Sequence, residues 1–115
     1  MVTQNNLYVP NRGDIVNLDF DPTKGHEQRG RRPAFVISPL VYNEKSSLAL
    51  FMPITSHQKG YPFEVLLPSG LKTYGVILTD QIKCLNWKAR NAQFVESVSE
   101  DVIEEVQARI EPLLL

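Results

Sequence analysis

Apolar and polar positions in this chain change rhythm only once. From Asp14 to Phe20, "DIVNLDF" carries Ile15, Val16, Leu18 and Phe20 and mostly alternates, which predicts a strand entered through Gly13. "PAFVIS" is a short apolar run with β-branched residues and predicts a buried strand. "VYNEKSS" suits one helical turn, and "LALFMPIT", Leu48 to Thr55, predicts a third strand with Pro53 marking an edge or a bulge. "SHQKGYP" is a turn-rich loop, "FEVLL" a fourth strand, and "PSGLKTYG" a hairpin connection. "GVILTDQIK" predicts a fifth strand and "NAQFVESV" a sixth. After Ser99 the period becomes helical, with Val102, Ile103, Val106, Ile110 and Leu113 on one stripe. Ser99 suits the N-cap, Glu100 and Asp101 favour the positive end of the helix dipole, and Pro112 is expected to end the helix.

The expected fold is mostly β with a C-terminal helix: five to six short antiparallel strands in a strongly curved sheet or small barrel. The helix lays its apolar stripe on that sheet. The 115 residues fit one domain, 1–115, able to bury a core without disulfide or metal support. No apolar run approaches a membrane span, and the N-terminus lacks a signal-peptide pattern. Cys84 is the single cysteine, which excludes an internal disulfide and favours a cytoplasmic setting.

A net charge of −1 argues against a polyanion partner until its distribution is read. The segment from Ser99 to Leu115 holds −4 and residues 1 to 98 hold +3. A basic body with an acidic terminal helix keeps a nucleic-acid partner open. The basic charge gathers on one loop, Asp21 to Arg32, where Lys24, Arg29, Arg31 and Arg32 stand against Asp21 and Glu27. Arginine offers a fixed fork of donors suited to phosphate and keeps its proton. The alternative is an ordinary solvated basic loop.

Walker, GxGxxG, HExxH and GxSxG motifs are absent, and His26 and His57 are not set in a metal-ligand pattern. Asp19 and Asp21 are spaced to hold a cation, or simply to begin a turn at Pro22. "PITSHQKGYPFE" offers Thr55 and Ser56 hydroxyls, the Lys59 charge and the Tyr61 ring, a set that suits single-stranded RNA. RNA cleavage without a metal or cofactor needs a base for the 2′-hydroxyl, donors for the phosphorane oxygens and an acid for the 5′-oxygen. Glu27 suits the base, Arg32 the charge stabiliser and Thr55 a phosphate ligand.

Those segments resemble the MazF/PemK family of toxin endoribonucleases, nearest the enterobacterial MazF type. "GDIVNLDFDPTKGHEQRGRRPAFVISP", "PITSHQKGYPFEV", "GVILTDQIKCLNWKAR" and the terminal helix carry the likeness over most of the chain. The resemblance implies an SH3-like barrel, a homodimer, and metal-independent cleavage of single-stranded mRNA at a short motif. Its products would be a 2′,3′-cyclic phosphate and a 5′-hydroxyl, and its outcome inhibited translation and growth. It also implies a cognate antitoxin with an acidic disordered tail. Residue by residue it assigns Arg32, Thr55 and Glu27 to catalysis. Lys24 and Gln28 fall on an RNA-contacting loop, Ser56 stands beside Thr55, and Asp80, Gln81 and Lys83 lie where relatives contact substrate. Trp87 falls in a shared segment. Arg31 stands where a close relative has histidine and is expected to pair with Arg32 toward phosphate. Leu78 occupies an arginine position of the PemK branch, so the signature names no acid for the leaving oxygen; Asn17 replaces an aromatic of a close relative on the first strand, which bears on base stacking and choice of cut site. Two other readings fit such a barrel: a CcdB-like toxin that binds DNA gyrase without cutting RNA, and a module that binds an acidic peptide.

Overall fold

The structure is a computed structural model, and it describes residues 8–20 and 31–115. In chain order the elements are β1 (Asp14–Asp19), β2 (Arg31–Val36), α1 (Leu40–Ser46), β3 (Leu48–Thr55), β4 (Glu64–Leu66), β5 (Val76–Leu78), β6 (Lys83–Asn86), β7 (Gln93–Ser97) and α2 (Glu100–Leu114). All the strand pairs are antiparallel, in the order β4-β5-β3-β2-β1-β7, with β6 also on β3. The mostly β, antiparallel architecture with a C-terminal helix is the expected one. The strand number is seven because the run 75–83 divides into β5 and β6, with a turn at Thr79 and Asp80 between them.

β3 explains that division. One of its edges pairs with β2, from Phe51 to Pro53, while the other pairs first with β6, from Leu48 to Phe51, and then with β5, at Ile54 and Thr55. Pro53 lies between the two partners. It lacks an N–H, so a ladder cannot run unbroken through it. The proline therefore sits in a strand paired on both sides, where one neighbour hands over to another, rather than on an edge.

Both faces of the sheet are buried. One carries Ile15, Phe35, Met52 and Ile77 against Val102, Ile103 and Val106 of α2. The other carries Val16, Leu18, Val36 and Phe51 against Trp87. The adjacent apolar pair Ile15 and Val16 is thus shared between two cores, and the β1–β7 register shifts between them, which bends the sheet. Gly13 leads into β1 at φ +95°, and a Cβ there would lie 2.7 Å from Cδ1 of Ile103. The missing side chain lets α2 approach closely.

α2 departs from expectation at both ends. Ser99 occupies the N-cap position, but its side chain makes no capping bond; its carbonyl instead accepts from Val102 and Ile103. Pro112 lies inside the helix, which runs on to Leu114. In the last turn several carbonyls lack helical partners anyway, so one more lost N–H is tolerated.

The polar anchor of the fold is Asn43 on α1, fully buried. Its Nδ2 donates to the carbonyls of Pro10, at 2.7 Å, and Ser38, at 3.0 Å. Its Oδ1 accepts from the Ser38 hydroxyl at 2.6 Å, and its own carbonyl accepts from Nε1 of Trp87 at 2.9 Å. Replacing Asn43 with alanine strands several buried groups without partners. Asn43→Ala should lower unfolding stability by about 3 kcal/mol in a urea titration; a loss under about 1 kcal/mol would mean that water satisfies the network.

Candidate active site

The β2–β3 register pairs Ala34 with Pro53 and Phe35 with Met52. Continued toward the start of β2, the same register sets Arg32 opposite Thr55. Two adjoining pockets share these residues. One, of about 500 Å³, is also lined by Asn17, Ser56, Lys72 and Tyr74. The other, of about 430 Å³, is lined further by His57, Lys59, Tyr61 and Gln81. Together they form a cleft crossing the strand ends, with Arg32 and Thr55 at its middle. Tyr61 and Tyr74 are exposed by 61% and 76%, leaving an aromatic face free on each side.

Each wall of the cleft is fastened by a carboxylate. Glu64 accepts the backbone N–H groups of Lys59 and Gly60, the latter at 2.8 Å. Glu96 accepts those of Lys72, at 3.0 Å, and Thr73, at 2.9 Å. Partial burial of the Glu96 carboxyl works to raise its pKa, but the donors from Lys72 and Thr73 outweigh that and hold it below the usual value. Both loops thus present Lys59 and Lys72 to the cleft on a fixed backbone. The Thr55 hydroxyl oxygen accepts the His57 N–H at 3.1 Å, so its own proton remains to donate.

Gly75 holds the floor. It sits at φ +121°, and a Cβ there would fall 2.2 Å from the Thr55 carbonyl oxygen. No side chain fits without moving Thr55. Gly75→Ala should therefore displace Thr55 and cut activity more than tenfold, with lowered thermal stability; full activity in a stable variant would show that this approach is not needed.

Arg31 and Arg32 do not act as a pair. Successive side chains in a strand point to opposite faces, and Arg31 goes with its cross-strand partner Asp19. Its guanidinium reaches Asp19 Oδ1 at 2.9 Å, the Asn91 carbonyl at 2.8 Å and Gln93 Oε1 at 2.8 Å. Arg31 is expected from sequence to pair with Arg32 toward phosphate; in the structure its guanidinium is taken up by these three acceptors, which tie β1, β2 and β7 together. The same contact occupies Asp19 Oδ1, and Asp21 lies outside the described residues. Asp80 and Lys83 are exposed and stand outside both pockets, whereas Gln81 lines one. Lys24, Glu27 and Gln28 lie outside the described residues.

The Asp19 carboxyl is held below its usual pKa, chiefly by the Arg31 hydrogen bond. A depressed folded-state pKa stabilises the fold above the unfolded value and loses that contribution as pH falls through the folded one. Asp19→Asn should thus be less stable than the parent at neutral pH, with the gap closing below about pH 4. Urea titrations across this range test it; a gap independent of pH would assign the loss to packing.

Sequence reasoning missed three cleft residues. Lys72 and Tyr74 sat in what read as a plain hairpin connection, and His57 was weighed only as a metal ligand. Gly75 after Tyr74 was the available signal, since a glycine at a strand start marks a close approach.

A family model for the PemK-like, MazF-like toxins of type II toxin-antitoxin systems matches residues 11–114. The endoribonuclease toxin MazF of Escherichia coli strain K12 is 48% identical over 107 residues, which are 93% of this chain and 96% of that one. The crystal structure of MazF (Form-I) from Deinococcus radiodurans aligns with a TM-score of 0.84 at 47% identity, covering 93% of this chain and 97% of that one. A MazE–MazF crystal structure (Form-II) from the same organism aligns at 0.82 and 42%, covering 93% and 96%.

Proposed function

This chain belongs to the PemK-like, MazF-like toxins of type II toxin-antitoxin systems; it is an endoribonuclease of that family, and we propose that it cuts single-stranded RNA in the cleft centred on Arg32 and Thr55. The observation that carries the assignment of residues is that both line the junction of two pockets, each bearing a lysine and a tyrosine. A phosphodiester held at the junction has room for one nucleoside on either side. Its bases meet the Tyr61 and Tyr74 faces, and Asn17 and Gln81 supply polar edges.

In this reading the 2′-hydroxyl attacks its neighbouring phosphorus. Arg32 neutralises charge on the phosphorane oxygens, and the Thr55 hydroxyl donates to one of them. Glu27 takes the 2′-hydroxyl proton, a role resting on sequence alone. No step needs a metal or cofactor. The products are a 2′,3′-cyclic phosphate and a 5′-hydroxyl, and destruction of mRNA arrests translation and growth. Ser56 and Lys59 hold flanking phosphates, while Lys24, Gln28, Asp80 and Lys83 contact RNA farther from the junction. The chain works as a homodimer.

The cognate partner is an antitoxin whose acidic tail covers this cleft, carboxylates taking the place of phosphates. The related MazF of Deinococcus radiodurans has been solved with MazE. Among the described residues no helix is long and apolar enough to cross a membrane; with a single cysteine, that suits a toxin acting on cytoplasmic mRNA. The CcdB-like reading finds no support, since the 48% identical MazF of Escherichia coli is an endoribonuclease toxin.

Incubation with a defined single-stranded RNA in excess EDTA, followed by mapping of the ends, tests the reading. The parent should cut and leave cyclic phosphate. Arg32→Ala, at an exposed position, should keep its fold and lose about 10²–10³-fold in rate. Intact RNA, or cutting that requires added Mg²⁺, would overturn the proposal.

A further inference from the structure

The reaction above lacks an acid for the departing 5′-oxygen, and we infer that His57 supplies it. The inference rests on the endoribonuclease reading and extends it. An alkoxide leaving from phosphorus is strongly basic and departs readily only with a proton. The Arg32 guanidinium and the Thr55 hydroxyl are already engaged with the phosphorane oxygens in this reading. Of the side chains lining the second pocket, the His57 imidazole is of the type most used as a general acid.

Its position suits the task. His57 follows Thr55 by two residues, and the hydrogen bond from its N–H to Thr55 Oγ1 fixes its backbone relative to the hydroxyl at the junction. Among the described residues its ring makes no hydrogen bond, and it lines the pocket that begins at Arg32. Arg32 from β2, Lys59 and Tyr61 from its own loop, and Glu64 from β4 line the same pocket. Glu64 is already an acceptor for two backbone N–H groups, so the ring stands among donors and one occupied carboxylate.

This arrangement gives the cleft a direction. The nucleoside carrying the 5′-oxygen lies in the His57 pocket, and the one carrying the attacking 2′-hydroxyl lies toward Asn17 and Tyr74. As the 2′-oxygen bonds to phosphorus, the bond from phosphorus to the 5′-oxygen breaks. The 2′-hydroxyl proton passes to the base, and the imidazolium N–H proton passes to the 5′-oxygen. Neutral imidazole remains and is reprotonated by solvent.

The test compares two RNAs of one sequence, cut by the full chain under single-turnover conditions. One has the ordinary 5′-oxygen at the scissile bond; the other has sulfur there, a leaving group that needs no proton. His57→Gln should slow the oxygen substrate by about 10²-fold or more and leave the sulfur substrate near the parent rate. Equal slowing of both substrates, or no slowing of either, would overturn the assignment while the parent still cuts RNA. A parent that cuts neither substrate would instead remove the endoribonuclease reading.

Discussion

The register between β2 and β3 is the constraint on which the cleft depends. Arg32 and Thr55 are far apart in sequence, and only this ladder brings them together. A slip of one residue would turn every side chain of one strand to the opposite face. Here both faces are buried and apolar, so alternation of hydrophobic and polar residues cannot hold the register. Polar contacts at the other end of the ladder do so. The Ser38 hydroxyl accepts from the Leu50 N–H at 2.8 Å, and Ile37 donates to the Leu50 carbonyl at 3.0 Å. Ser38 is itself held by buried Asn43. A side chain on α1 thus secures the alignment of two catalytic candidates at the far ends of the strands.

From that alignment the chemistry follows in layers. Pro53 breaks one ladder of β3 and lets β5 replace β6, which brings Gly75 under Thr55. Carboxylates on backbone N–H groups fasten the two loops that carry lysine and tyrosine to the cleft. The positive groups thereby stand on a fixed backbone, the condition under which electrostatic stabilisation of a developing charge is strongest. Arg31 contributes differently: its bonds to Asp19, Asn91 and Gln93 keep the start of β2 against β1 and β7.

The sequence alone carried the architecture far. Periodicity located β1, β3, β7 and α2 closely, because a period of two and a period of 3.6 residues leave distinct traces. The two arginines looked equivalent because linear charge says nothing about the pleat. Pro112 looked like a stop because propensity does not know that a helix end tolerates a missing donor. Tyr74 and Lys72 were hidden in a connection whose only marked residues were glycines.

What the amino-acid sequence determined by itself was the mostly β fold with its terminal helix, and Arg32 and Thr55 as the residues to watch. Those follow from local patterning and from a long shared signature. What only the tertiary structure decided was company: that Arg31 turns to Asp19, that Asn43 ties α1 to Trp87, and that His57 and Tyr74 stand on opposite sides of one junction. These depend on strand register, a change of partner at Pro53 and the approach of Gly75. All three are relations between distant segments, and no local pattern encodes them.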